Sequence, residues 1–283
     1  MLNLHSPREI TAFLNANGIH PSKALGQNFL IDRNMLDCII AAADILPGRK
    51  VLEIGTGLGV LTEALLAAGA EATTVEKDVR LHAYLRERFE GRPRCNLVFG
   101  DALALDYAAL FAEGSHTHLI SNLPYSVGTR VVVEASAAPH PPQHMTLLLQ
   151  KEVCERFCAK ENSPDRGALS VWLQQRYDVA IERDVPPSCF LPRPDVVSSV
   201  VTLRRHHRHE MPYPELLYFR ELVKTAFLHR RKQLASAMRG AGKFSLPAEK
   251  IRALLLSVGA APDARAEALA LEQWLALARQ WNA

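Results

Sequence analysis

The chain has 283 residues, enough to bury one large core or a large core and a small one. With 48% hydrophobic and 22% charged residues it has the balance of a globular protein, not of a disordered or fibrous one. No run approaches the roughly 18 apolar residues of a membrane span, and the opening Met1-Leu2-Asn3-Leu4-His5-Ser6-Pro7 lacks the layout of a signal peptide. No membrane association is therefore expected. The five cysteines (Cys38, Cys95, Cys154, Cys158, Cys189) are scattered without a Cys-x-x-Cys, which favours neither zinc nor a disulfide framework and fits a reducing cytoplasm. The net charge of +3 is unevenly spread: from Arg204 onward 14 Lys+Arg face 7 Asp+Glu, leaving −4 for residues 1–203. Such a basic tail suits a polyanionic partner; the alternative is a solvated helical surface.

The elements follow in chain order. Ser6-Pro7-Arg8-Glu9 reads as a helix start with a capping box, and Gly18 as its end. After a loop, Asp32 is placed to cap a second helix running to Ala43. Residues 50–54 form a short β-rich run ending at glycines, followed by a helix to Ala68. Residues 72–76 predict a second strand and 78–90 a charged helix. Residues 96–99, 118–121 and 145–149 predict three more strands, with helical segments between most of them. Strands alternating with helices imply a parallel sheet covered on both faces. Residues 179–185 and 196–203 are β-branched runs separated by a proline-rich segment too short for a helical crossover, so an antiparallel pair is expected at the end of the sheet. Past Arg204 helices are expected at 214–229, in a following basic stretch, at 247–257 and at 264–280. The domain boundary is expected near residues 205–211, giving a catalytic domain over 1–205, its first 48 residues helical, and a small all-α domain over 206–283.

The first strand runs into Val51-Leu52-Glu53-Ile54-Gly55-Thr56-Gly57-Leu58-Gly59. Glycines at such a turn let backbone approach a ligand closely. A dinucleotide fingerprint wants glycines at positions 1, 3 and 6; here they stand at 1, 3 and 5, with Val60 at position 6. The pattern Glu-x-Gly-x-Gly-x-Gly resembles class I S-adenosylmethionine-dependent methyltransferases, which implies a Rossmann-like α/β sheet, mostly parallel with an antiparallel terminal strand. Glu76 ends the next strand, where a carboxylate can accept hydrogen bonds from ribose hydroxyls. Asp101 follows the third strand and is suited to an adenine edge. Taken singly, each is a solvated loop charge; at the carboxyl ends of consecutive parallel strands they mark a ligand crevice.

The fourth strand ends in Ser121-Asn122-Leu123-Pro124-Tyr125. An exocyclic adenine nitrogen is a poor nucleophile because its lone pair is delocalised into the ring. An asparagine oxygen and a backbone carbonyl that accept its hydrogens favour a pyramidal nitrogen, while proline fixes the turn and an aromatic ring stacks on an extruded base. Asn122, Leu123, Pro124 and Tyr125 match the Asn/Asp-Pro-Pro-Tyr type of motif found in amino-group methyltransferases.

Three further stretches carry a resemblance: Lys23-Ala24-Leu25-Gly26-Gln27-Asn28-Phe29-Leu30, Phe190-Leu191-Pro192-Arg193-Pro194-Asp195-Val196-Val197-Ser198-Ser199-Val200-Val201, and Phe227-Leu228-His229-Arg230-Arg231-Lys232. They resemble the N-terminal signature, the late proline-rich segment with its final strand, and the basic C-terminal helix of the ribosomal RNA adenine N6-dimethyltransferase family, over roughly residues 22–235. The resemblance, nearest to the small-subunit branch, implies S-adenosyl-L-methionine as methyl donor. It also implies dimethylation of two adjacent adenosines in the 3′-terminal hairpin loop of 16S ribosomal RNA, within a small-subunit precursor. By position it implies cofactor contacts from Asn28, Leu30, Gly55, Gly57, Glu76, Asp101 and Asn122, and base stacking by Tyr125 and Phe190. Departures from the usual pattern are Thr56 where proline is common, Ser126 where asparagine is common, and Arg166 where tyrosine often precedes glycine.

Arg204, Arg205, Arg230, Arg231 and Lys232 are expected to contact RNA phosphates, which positions RNA without reading its sequence. His206-His207-Arg208-His209 lies at the expected boundary without carboxylates and reads as a linker, so no metal is expected. A monomer is expected. Two other functions fit the same residues: adenine methylation of large-subunit ribosomal RNA, or a ribosome-assembly factor whose catalysis is dispensable.

Overall fold

The computed structural model describes residues 2–22 and 25–281; Lys23 and Ala24 of the N-terminal signature lie outside the described residues. Its strands are β1 (Phe29–Leu30), β2 (Lys50–Ile54), β3 (Glu71–Glu76), β4 (Cys95–Phe99), β5 (His118–Asn122), β6 (His144–Gln150), β7 (Tyr177–Val185), β8 (Phe190–Leu191) and β9 (Ser198–Arg205). Helices α1 (Pro7–Ala16), α2 (Arg33–Ala43), α3 (Val60–Ala67), α4 (His82–Phe89), α5 (Tyr107–Leu110) and α6 (Gly128–Ala137) alternate with the earlier strands. Then come α7 (Lys151–Cys158), α8 (Ala168–Gln174), α9 (Tyr213–Phe227), α10 (Leu234–Ala237), α11 (Ala248–Ser257) and α12 (Leu271–Trp281). No described helix is long and apolar enough to cross a membrane.

The main sheet has the order β4-β3-β2-β5-β6-β9-β7. The first five strands are parallel, in registers such as Val51↔Ala72, Val51↔His118 and Leu119↔Met145. β9 runs antiparallel to β6, with Leu147 opposite Val201. Bonds from Ser199 to Asp184 and from Thr202 to Glu182 show β7 running opposite to β9. Val51, Leu52, Leu119, Met145, Leu147 and Leu148 are fully buried, because helices cover both faces of a parallel sheet. The chain winds outward through β2, β3 and β4, then returns to place β5 beside β2. This reversal opens a crevice at the carboxyl ends of β2 and β5.

Two local expectations need correction. Ser6 caps α1 through the Glu9 amide at 3.3 Å, but the Glu9 carboxylate takes the Asn3 amide, so half of the capping box forms. Asp32 caps α2 through the Met35 amide at 2.9 Å. The expected loop before α2 contains β1, which pairs antiparallel with β8 in the proline-rich segment, Phe29 opposite Leu191 and Leu30 opposite Phe190.

The chain divides into two compact units: residues 1–154 with 178–205, and residues 155–177 with 206–283. The second unit therefore takes in residues 155–177, which were expected in the first. Val171 of α8 joins a core of Phe219, Leu222, Phe227, Ile251 and Trp274, and the Trp172 indole donates to the Arg220 carbonyl at 3.1 Å. The expected basic helix is a turn: α9 stops at Phe227, and Arg230, Arg231 and Lys232 precede a bridge between Gln233 and Arg265. The helix expected over 264–280 is broken at Leu269, whose backbone is extended and whose carbonyl accepts from the buried Arg166 guanidinium at 3.1 Å. Arg166 also donates to the Ala159 carbonyl at 3.0 Å, so this departure from the family pattern clasps the helical unit.

Candidate active site

The crevice at the strand ends is a cavity lined by residues 25–30, 53–58, 76–77, 100–102 and 122–127. Asn28, Leu30, Gly55, Gly57, Glu76, Asp101 and Asn122 all line it, as do Leu123, Pro124 and Tyr125. Distant stretches of sequence meet there because each lies at or just beyond a strand end, or on the segment leading into β1.

The glycine turn is left-handed at all three positions, with φ of +84°, +56° and +84° at Gly55, Gly57 and Gly59. A Cβ on Gly55 would lie 3.1 Å from the Pro124 ring, and one on Gly57 3.1 Å from the Phe29 ring, so the first two glycines keep the cavity walls close. A Cβ on Gly59 would lie 2.4 Å from the Phe89 ring, which makes the third glycine a packing requirement of α4. Thr56 fits in place of proline because its hydroxyl meets Thr74 at 2.6 Å in the interior.

The Glu76 carboxylate accepts the Gly57 amide and the Asp78 amide, each at 2.8 Å, one on each oxygen. Burial raises its pKa against these bonds. Asp101 accepts from Lys77 Nζ at 2.7 Å and from the Leu103 amide at 2.9 Å; the Lys77 bond, then the amide, hold its carboxyl below the usual range. Glu53, 1% exposed beneath the glycine turn, takes a 2.6 Å bond from the Thr62 hydroxyl, and burial pushes its pKa up to about 8. Burial thus favours the neutral acid over the carboxylate at this position.

The Asn122 amide nitrogen donates to the Asn28 carbonyl at 3.0 Å. That fixes the amide plane and leaves Oδ1 as an acceptor to which no described residue donates. The Pro124 carbonyl is taken by the Val127 and Gly128 amides at 3.1 and 2.9 Å, whereas no described residue donates to the Leu123 carbonyl. Two acceptors thus stand open at one turn. The Tyr125 hydroxyl is hydrogen-bonded to Ser198, and burial raises its pKa, so it stays a phenol.

Phe190 lies apart from the other expected site residues. It is 1% exposed, packed in the core beside Leu30 through the β1–β8 pairing, and does not line the cavity. Of the two rings expected to stack on a base, the structure brings Tyr125 to the cavity. Arg204, Arg230, Arg231 and Lys232 are exposed, and Arg205 is half-buried. Arg230 donates to the Pro164 carbonyl at 2.5 Å and reaches Glu267 at 3.4 Å. In the histidine-rich stretch, His206 Nε2 lies 3.1 Å from the Gln174 carbonyl and His207 contacts Glu210.

Sequence reasoning assigned no site role to Gln27, Asp78, Arg80 or Ser198. Gln27 Nε2 donates to Asp78 at 2.8 Å, and Arg80 forms a two-pronged pair with the same carboxylate. Gln27 stood within the N-terminal signature and Asp78 at a helix start; their bond spans 51 residues and leaves no local trace.

The family model for "Ribosomal RNA adenine dimethylase" matches residues 20–282. The chain is 42% identical over 275 residues to the Ribosomal RNA small subunit methyltransferase A of Deinococcus radiodurans, covering 97% of this chain and 90% of that one. It is 40% identical over 271 residues to the protein of the same name from Phenylobacterium zucineum, covering 95% and 91%. In structure it is similar to a dimethyladenosine transferase from Plasmodium falciparum, with a TM-score of 0.75 and 23% identity over 89% of this chain and 97% of that one. The 23S rRNA methyltransferase ErmE has a TM-score of 0.67 at 25% identity, covering 90% and 100%.

Proposed function

The chain belongs to the ribosomal RNA adenine dimethylase family, and from that premise we propose that it uses S-adenosylmethionine to dimethylate N6 of two adjacent adenosines in the 3′-terminal hairpin of 16S ribosomal RNA during small-subunit assembly. The names of the relatives over nearly the full chain support the small subunit as substrate. One observation carries the chemistry: Asn122 Oδ1 and the Leu123 carbonyl stand as open acceptors at the wall of a glycine-lined cavity.

The residues present fit the cofactor. Gly55 and Gly57 admit close approach to backbone, and the Glu76 carboxylate keeps acceptor capacity beyond its backbone amide bonds for a ribose hydroxyl. Asp101 would hold the adenine edge, with Asn28 and Leu30 closing the cavity from the N-terminal side. When bound, S-adenosylmethionine supplies a methyl carbon already attached to a good leaving group. What remains for the protein is positioning and polarisation. Asn122 Oδ1 and the Leu123 carbonyl accept the two hydrogens of the target amine in the first transfer and the one that remains in the second, turning the nitrogen lone pair out of conjugation; at each transfer the nitrogen gives up one proton after attack. Tyr125, held by Ser198, offers its ring to the extruded base. Arg204, Arg205, Arg230, Arg231 and Lys232 contact phosphates.

The test is incubation of unmethylated small and large subunits with labelled cofactor. Label is expected in 16S RNA as dimethyladenosine; label in large-subunit RNA would move the substrate, and label in neither would favour an assembly role. Asn122→Ala is expected to abolish transfer while calorimetry still detects cofactor binding, and normal turnover by that variant would sink the mechanism.

A further inference from the structure

We propose that Asp78 is a positioning residue for methyl transfer: it latches residues 25–30 through Gln27, so that the Asn28 carbonyl orients the Asn122 amide. The inference rests on the function proposed above. Asp78 is 4% exposed, yet its carboxylate gathers four donors. These are Arg80 Nε at 2.8 Å, Arg80 Nη2 at 2.6 Å, the Arg80 amide at 3.1 Å and Gln27 Nε2 at 2.8 Å. Arg80 then reaches back to the His20 carbonyl at 2.8 Å, so the same pair also grips the chain before the latch.

Gln27 is held from its other end as well. Its Oε1 accepts the Ser22 backbone amide at 2.9 Å, and the Gln27 backbone N–H donates to the Ser22 carbonyl at 3.2 Å. One residue earlier, Gly26 has φ +65°, and a Cβ there would lie 2.9 Å from the Tyr125 amide nitrogen and 3.0 Å from that of Ser126. One residue beyond Asn28, the chain enters β1 and is pinned to β8. Asn28 is thus fixed on both sides, by the latch at Gln27 and by the strand at Phe29. Its carbonyl commits the Asn122 NH2, and an amide whose NH2 is committed presents Oδ1 in one direction.

A simpler role for Asp78 is a helix cap, since it also accepts the Arg80 amide at the start of a short turn. The two roles separate experimentally. Gln27→Ala removes the latch and leaves the cap and the Asp78–Arg80 pair in place; Asp78→Asn weakens both. With saturating cofactor and RNA, Gln27→Ala is expected to lower kcat roughly tenfold to a hundredfold, with a smaller change in the cofactor KM and little change in Tm. The Asn122 side-chain amide resonance is expected to shift in the same variant. Asp78→Asn should act in the same direction, and the double variant should be no slower than the slower single one. An unchanged kcat in Gln27→Ala, or an unmoved Asn122 resonance, overturns the proposal. Should the unaltered enzyme transfer no methyl group to RNA, the functional reading fails, and the Asn122 resonance alone decides the latch.

Discussion

Replacing Glu53 by glutamine isolates the cost of keeping a carboxyl group under the glycine turn. Burial pushes its pKa from 4.5 to about 8; the Thr62 and Thr74 hydroxyls oppose the shift and the Glu76 carboxylate adds to it. Over that interval the folded protein holds a proton that the unfolded chain has released. Glu53 therefore contributes fully to stability below about pH 4.5, and that contribution is lost progressively as pH rises toward 8. At about 1.4 kcal/mol per unit, the loss between pH 5 and pH 8 is about 3 kcal/mol. Glutamine keeps the shape and an oxygen for the Thr62 hydroxyl, and it does not titrate. Urea unfolding of both proteins at pH 5 and pH 8 measures the effect. Relative to the parent, Glu53→Gln should gain about 3 kcal/mol on going to the higher pH. Parallel stability profiles for the two proteins across this range would refute the buried-acid argument.

Three further outcomes are expected. Gly59→Ala drives a Cβ to 2.4 Å from the Phe89 ring at φ +84°, and should cost about 3 kcal/mol of unfolding free energy, read from denaturant midpoints. His118 and His144 are buried side by side, ring centroids 5.4 Å apart, and burial first, with neighbouring positive charge, lowers both pKa values from 6.5 to about 4. Their contribution is present above pH 6.5 and is lost as pH falls toward 4, at roughly 1 kcal/mol per pH unit for each ring; replacing both by glutamine should flatten that limb of the urea profile. Charge reversal at Arg230, Arg231 and Lys232 should raise the RNA dissociation constant and reduce its salt slope by about 1 per lost phosphate contact. Because Arg230 is partly committed to Pro164 and Glu267, Arg231 and Lys232 should account for most of that change.

The sheet and the cavity were legible because their signals are local. Strand β2 covers the residues expected of it, 50–54, because a short β-rich run that stops at glycines marks its own ends. The turn residues that end the strands line the cavity: the glycines at 55 and 57, Glu76, Asp101 and Asn122 stand where backbone leaves the sheet. What stayed hidden depends on remote partners. Nothing near Phe29 announces that two residues will pair with Phe190 and Leu191, and the burial of Phe190 follows from that pairing. The apolar face of α8 shows that the helix packs, not which core receives it. The basic stretch at Arg230, expected as a helix, is a turn whose end is set by a bridge from Gln233 to Arg265, in another segment.

The discontinuity of the helical unit bears on how this chain can be cut and recombined. The polypeptide leaves the sheet-bearing unit after residue 154, returns at 178 and leaves again after 205. Removing residues 206–283 would strip α8 of the Phe219, Leu222 and Trp274 side chains that share its core, and would deprive Arg166 of the Leu269 carbonyl. The remainder would expose an apolar helix instead of a finished surface. A chimera exchanging the helical unit between relatives must therefore carry residues 155–177 along with the C-terminal stretch, as two inserts and not one.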